Sequence, residues 1–313
     1  MTRTMVLVLA TVAVTPSVAW RQAPPATQSI DCGTGATIGA VLARLRPGDT
    51  LVVRGICREN VNISADQNRL TLDGQGQATI EAPDPGPAAI AITGREIIVR
   101  GFTITGGRNG INVLRGGTAV IANNVIHHTG PDRRPGAGEG INVGQHSFAR
   151  IIGNIIRDNP AAGIIVHESG AARIGFTDID NTIPAGNTIS NNAGVGIRVL
   201  TSSTARIVGN TLRGNGRHGI EVSGGSNAHV SGNVISGNGG SGVLLTQNSS
   251  VQLGADDGTG LLGAPNQTDP NKLNRGAGVT CSLGSAVDGR LGSLTGHQGS
   301  KRFDRTCIDS LLQ

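Results

Sequence analysis

One short motif returns throughout this chain: a glycine followed by an alternating apolar triplet. It occurs six times in succession, as GINV at 110–113 and 140–143, GIIV at 163–166, GIRV at 196–199, GIEV at 219–222 and GVLL at 242–245. The last three copies begin 23 residues apart, and the longer gaps hold the insertions DRRPGAGE and TDIDNTIPAG. A repeat of this length is typical of a solenoid, in which each repeat forms one coil stacked on its neighbours.

Within each repeat, three stretches alternate between apolar and polar residues, which is the period of a strand with one buried face. In the repeat that begins at Ile197, the second stretch has Ala205 and Ile207 at inward positions and the third has Leu212. The pattern predicts three short strands per coil, each paired in parallel with the same strand of the next coil. Aliphatic side chains then fill the interior, which accounts for an aromatic content of only 2%.

Asparagine stands at two corners of successive coils. The two series are Asn124, Asn154, Asn187, Asn210 and Asn233, and Asn159, Asn192, Asn215 and Asn238. An inward asparagine at a tight corner can satisfy backbone groups and bond to the asparagine of the next coil, so the pattern predicts two ladders. Metal or sugar binding is the alternative, but recurrence in successive coils favours a structural role.

The segments ATIGAVLARLRPGDTLVVRG (36–55), LTLDGQG (70–76) and IIVRGFTITGG (97–107) resemble the capping helix and early coils of the pectin-lyase-like superfamily. The resemblance implies an all-β, right-handed parallel β-helix with about 23 residues per coil and an N-terminal helical cap at 37–45. It assigns the GIxV strand to the first sheet, whose outer face usually holds the ligand cleft in such proteins. It identifies a fold more than a function.

Residues 1–19 are expected to be a signal peptide, with Arg3, an apolar run at 5–14 and a small-residue cleavage site before Trp20. The remainder, 20–313, is expected to be one β-helix domain, secreted or periplasmic, without a transmembrane segment. Within it we assign the cap and first rung, the main coils, and a last coil with a disulfide-clamped C-terminal segment to 28–57, 58–255 and 256–313.

Four cysteines lie near the two ends of this domain. Export favours disulfides, and the separation of the pairs favours Cys32–Cys57 and Cys281–Cys307 among the three possible connectivities. Neither pair has the spacing of a zinc site, so no metal is predicted from them.

The outward positions of the first sheet supply one set of candidate catalytic residues. His167, Arg198 and Glu221 lie on a diagonal across three coils, where Arg198 would act as a base and Glu221 would orient it. The alternative is that arginine and glutamate simply pair across neighbouring coils. Arg217-His218-Gly219 resembles the glycine-histidine-glycine motif of polygalacturonase-like glycosidases, but the paired carboxylates that glycoside hydrolysis needs are missing from the predicted columns.

The outward positions of the second strand form a basic column of Arg150, Arg173 and Arg206, followed by His229. Stacked guanidinium groups repel one another unless an anion lies over them, so we interpret the column as a strip for an acidic polysaccharide. The alternative is a solvated surface with carboxylates nearby.

The formal charge of +5 suits an anionic partner, but the chain has neither a basic tail nor a set of stacking aromatics for nucleic acid. Calcium is the one ion considered, at the acidic loops Asp178–Asp180–Asn181 and Asp256–Asp257, where ordinary turn formation is the alternative. The sequence therefore favours an exported protein that binds or organises an anionic polysaccharide or envelope component without catalysis and without a cofactor. The alternative is a lyase, hydrolase or epimerase acting on an acidic glycan.

Overall fold

The computed structural model of the protein describes residues 24–130, 137–177, 183, 185–254 and 264–312. In this part of the chain the strands pair in parallel, each with the corresponding strand one coil away. We call the three faces the first, second and third sheets, in the order in which the chain visits them within a coil. The predicted all-β parallel β-helix is confirmed.

The first sheet contains ten strands of three residues. They are Val61–Ile63, Ile90–Ile92, Ile111–Val113, Ile141–Val143, Ile164–Val166, Ile197–Val199, Ile220–Val222, Val243–Leu245, Val279–Cys281 and Lys301–Phe303. Ile197 and Val199 show the usual pattern, since both are fully buried while Arg198 between them faces outward. A glycine precedes seven of these strands and allows close packing of the coils: a Cβ at Gly219 would lie 2.4 Å from Cγ2 of Ile235.

The second and third sheets contain the other 17 strands. The second sheet includes Thr27–Asp31, Thr118–Ala122, Phe148–Ile152, Ala171–Ile174, Thr204–Val208, Asn227–Ser231, Ser250–Leu253, Ala286–Arg290 and Ile308–Leu312. The third includes Val125–His127, Ile155–Arg157, Thr188–Ser190, Thr211–Arg213 and Val234–Ser236. Three long strands, Thr50–Cys57, Thr71–Ala82 and Ile97–Gly106, run round the corner and join the two sheets by hydrogen bonds.

The asparagine ladders are confirmed at both corners. Asn210 shows their geometry: its Nδ2 donates to Oδ1 of Asn233 at 3.0 Å, and its Oδ1 accepts from Nδ2 of Asn187 at 2.8 Å. The ladders continue one coil further than the sequence pattern indicated, to Asn266 and Asn274. These bonds satisfy buried polar groups that the aliphatic core cannot.

A short α-helix, Ile38–Leu42, covers the N-terminal end and turns Ile38, Val41 and Leu42 toward the core. The predicted cap at 37–45 is therefore confirmed, with a shorter helical part. The Glu59 carboxylate accepts hydrogen bonds from the first two helical N–H groups, at 2.6 and 2.9 Å, and so caps the helix. A 3₁₀ turn, Cys32–Thr34, precedes the helix.

Both predicted disulfides are present. Cys32 is joined to Cys57 beside the N-terminal cap, and Cys281 is joined to Cys307 across the last coils. In the described part of the chain, no helix is long and apolar enough to cross a membrane.

Candidate functional site

Two of the three predicted catalytic residues meet on the outer face of the first sheet. The register pairs Arg198 with Glu221, and Nε of Arg198 donates to Oε1 of Glu221 at 2.9 Å. The glutamate is buried, with 6% of its side chain exposed, whereas the arginine side chain is 36% exposed. The buried carboxylate thus holds the partly exposed arginine through its Nε.

Glu221 has unused hydrogen-bonding capacity, because its Oε2 is buried without a partner among the described residues. His218 lies close by at the corner of the same coil. Its Nδ1 accepts from the backbone N–H of Ser241 in the next coil at 2.9 Å. Burial lowers the pKa of His218, the Glu221 carboxylate partly opposes that effect, and Arg217 adds to it. The ring is therefore neutral at neutral pH, with its proton on Nε2.

His167, the third predicted catalytic residue, makes its contacts elsewhere. Its Nε2 lies 2.8 Å from Oδ1 of Asn142 in the preceding coil, and its Nδ1 lies 3.5 Å from a carboxylate oxygen of Glu168. Gly144 makes this orientation possible, since a Cβ there would lie 2.5 Å from Nε2 of the imidazole. The structure therefore pairs Arg198 with Glu221, whereas His167 contacts Asn142 and Glu168.

A further buried carboxylate was not identified from the sequence. Glu139 is 7% exposed, and its Oε2 has no partner among the described residues. It occupies the same place in its coil as His218 does, two residues before the inward isoleucine of the first sheet. The repeat shows that Glu139 and His218 occupy equivalent positions. It does not show that Glu139 is buried, because the turns that cover this position vary in length.

The predicted basic column is formed on the outer face of the second sheet. The register pairs Arg150 with Arg173, Arg173 with Arg206, and Arg206 with His229. Arg150 also donates from Nη1 to the carbonyl oxygen of Thr177. Arg206 has no acceptor or carboxylate partner among the described residues.

The arginines line a long groove, which we call the arginine groove. It consists of three adjoining depressions of about 590, 210 and 410 Å³ that follow the second sheet from its N-terminal to its C-terminal coils. Phe148 borders the first two depressions, and Asn227 and His229 border the last two. The small side chains of Ala171 and Thr204 beside the arginines leave room for a ligand.

The electrostatics of the groove agree with mutual repulsion along the column. Burial lowers the pKa of Arg173, and the positive charges of Arg206 and Arg150 lower it further. The guanidinium remains protonated at neutral pH. The column therefore presents several like charges on one concave surface, an arrangement that attracts an anionic polymer.

Within the described ranges, the one close group of three metal-ligating side chains is Cys32, Cys57 and Glu59, and its two sulfurs are joined in a disulfide. The proposed calcium loops, Asp178–Asp180–Asn181 and Asp256–Asp257, lie outside the described residues.

The coil geometry and the outward columns define a parallel β-helix protein. The family model for a right-handed β-helix region matches residues 88–256, so the chain belongs to this family and the predicted handedness is confirmed. No curated protein sequence matches the chain significantly.

Several solved structures share the fold. Pectate lyase Pel9A is 14% identical, with a TM-score of 0.56 over 85% of this chain and 78% of its own. The A-module of the Azotobacter vinelandii mannuronan C-5 epimerase AlgE6 is 14% identical, with a TM-score of 0.54 over 93% and 90%. An alginate lyase from Paenibacillus sp. str. FPU-7 is 14% identical, with a TM-score of 0.50 over 92% and 98%. At this identity the likeness concerns the fold alone.

Proposed function

We propose that this protein binds an acidic polysaccharide along the arginine groove and organises it outside the cytoplasm without catalysis. The observation that carries the proposal is the in-register column of Arg150, Arg173 and Arg206. Neighbouring rungs of a sheet are roughly 4.8 Å apart, so the three charges repel one another strongly in a partly buried groove. A linear polymer with a carboxylate on each sugar would neutralise successive rungs.

The chemistry of arginine supports this choice of ligand. A guanidinium group presents a planar fork of N–H donors that matches a carboxylate in a bidentate manner. The three similar structures are a pectate lyase, a mannuronan C-5 epimerase module and an alginate lyase, and pectate, mannuronan and alginate are acidic polysaccharides. The charge of the groove and the chemistry of these ligands agree.

The test is binding to immobilised alginate, polygalacturonate and heparin, with the wild-type protein and the triple variant Arg150→Gln, Arg173→Gln, Arg206→Gln. Loss of three charge-assisted contacts should weaken binding roughly 100-fold or more at low salt. The matched control, Arg213→Gln, Arg275→Gln, Arg305→Gln, removes the same charge from exposed sites elsewhere and should retain most of the affinity. Equal weakening in both triple variants would contradict a role for the groove.

A second candidate function, catalysis on an acidic glycan, is favoured by the pair of Arg198 and the buried Glu221. Arginine held by a buried carboxylate with one unpartnered oxygen offers a cation and a proton acceptor on the face where pectin-lyase-like proteins usually hold their ligand. The test is incubation with pectate, alginate and glycosaminoglycans, followed by assays for new reducing ends and unsaturated products. Products that disappear in Arg198→Ala would establish this function, and measurable binding without products would exclude it.

Export is part of the same proposal. The two disulfides fit an oxidising compartment, either the periplasm or the exterior. Mass spectrometry of the mature protein should find Trp20 as the first residue, as the predicted cleavage site requires.

A further inference from the structure

The arginine groove changes chemical character along its length. In the two coils before Arg150, the same outward column carries Ile98 and Val120 instead of charged residues, because Ile98 pairs with Val120 and Val120 pairs with Arg150. Phe148 lies beside them on the neighbouring outward column and pairs with Thr118. We call Ile98, Val120 and Phe148 the apolar end of the groove.

The apolar end is concave and continuous with the basic part. Its three side chains are half-buried and line the depression of about 590 Å³, which Arg69 and Arg150 border. Phe148 also borders the adjoining depression that contains Arg173 and Arg206. A single ligand can therefore contact the aromatic ring and the arginines at the same time.

Phe148 is more exposed than the two phenylalanines of the protein interior. Phe102 and Phe176 are almost fully buried, whereas Phe148 faces the groove. An aromatic ring and two branched aliphatic side chains in one depression favour contact with an apolar group. The charged residues that line the same depression are Arg69, Arg150 and Glu96, so positive charge is in excess there. An excess of positive charge favours an anion, and the arrangement fits a ligand that carries both an apolar group and negative charge.

We propose that the arginine groove binds an acidic glycan that bears an apolar substituent, such as an acyl or alkyl chain. The substituent lies against Ile98, Val120 and Phe148, and the anionic sugars lie over Arg150, Arg173 and Arg206. This inference rests on the proposed function and adds the class of glycan. An uncharged lipid would offer no anionic group to the arginines, and an unsubstituted glycan would leave the apolar end in water.

The test compares two probes, an alginate hexasaccharide and the same hexasaccharide as its octyl glycoside, by calorimetry below the concentration at which the octyl probe forms micelles. In the wild-type protein the octyl group should raise the affinity by about tenfold, because it buries apolar surface in the depression. Val120→Asn should remove most of this gain, so that the octyl and unsubstituted probes bind the variant with nearly equal affinity. Ile98→Thr, a milder change, should reduce the gain in the same direction.

The matched control is Ile155→Asn, which changes an outward isoleucine of the third sheet that is 42% exposed. It should preserve the full gain from the octyl group. Equal affinity of the two probes, or a gain that persists in Val120→Asn, would overturn the inference. The proposed function would still stand if the triple arginine variant weakened both probes, and it would fall if the wild-type protein bound neither.

Discussion

The inner asparagine columns and the outer arginine column arise from the same coil geometry. Neighbours attract one another in the asparagine columns, whereas they repel one another in the arginine column. Both place one residue type at the same position of successive coils, because parallel pairing without slippage carries each position onto its equivalent. An asparagine side chain has a donor and an acceptor, so each member of a column satisfies the next. A guanidinium group has donors alone and a full charge, so its neighbours in a column repel it.

This difference distinguishes a repeated residue that stabilises the fold from a repeated residue that can bind a ligand. The asparagine column is complete within the chain, and its members are about 1% exposed or less. The arginine column faces outward, and we propose that the anionic groups of a ligand neutralise it. In a solenoid, the donor and acceptor content of a repeated residue is thus a guide to its role.

Asn210→Ala should have the largest effect on stability. The Asn210 side chain donates to Asn233 and to the carbonyl oxygens of Ile174 and Val208, and it accepts from Asn187. Its loss leaves several buried groups without partners, so the free energy of unfolding should fall by about 3 kcal/mol. Urea denaturation measures this change.

The control for that measurement is Asn271→Ala, at an exposed asparagine outside the ladders. It should change the free energy of unfolding by less than about 0.5 kcal/mol. A similar loss in both variants would mean that the ladder bonds contribute nothing special to the fold.

The coil architecture could be predicted from the sequence because it depends on local repetition. Inward pairs such as Ala205 and Ile207 recur at fixed positions and need no knowledge of distant contacts. The pattern weakens toward the C-terminus, where Cys281 replaces an aliphatic residue and Lys301 begins the last strand of the first sheet. That last strand has one neighbour rather than two, so it is held less strictly to the apolar pattern.

The outward columns were predictable for the same reason, but the contacts made by their side chains were not. The register placed Arg198 beside Glu221, as expected. His167 instead reaches back to Asn142, because Gly144 leaves space on that side. The apolar end of the groove was not predicted, and its concavity depends on the surrounding turns, which the repeat does not specify.

The triple variant Arg150→Gln, Arg173→Gln, Arg206→Gln should show the opposite of the asparagine result. Removing like charges that repel one another should leave the free energy of unfolding unchanged or raise it by about 0.5 kcal/mol at low salt. The gain should shrink as salt screens the repulsion. Urea denaturation at low and high ionic strength measures both effects, and a clear loss of stability would show that the column is satisfied within the chain.

His218→Asn tests a contact between coils that is sensitive to pH and should have the smallest effect. Burial lowers the pKa of His218 in the folded protein below its ordinary value of 6.5. Below about pH 6.5 the unfolded chain therefore binds a proton at this histidine more readily than the folded protein does, and the free energy of unfolding falls as the pH decreases. Protonation would also break the bond from the Ser241 N–H to Nδ1. Asn109 occupies the equivalent place, and its Oδ1 accepts from the Glu139 N–H at 3.2 Å. The asparagine variant should therefore preserve stability near neutral pH and lose less of it at about pH 5 than the wild-type protein does.

The control is His146→Asn, which changes an exposed histidine and should leave the pH dependence of the urea midpoint unchanged. If His218→Asn also left that pH dependence unchanged, His218 would not be the group that causes the loss of stability at low pH.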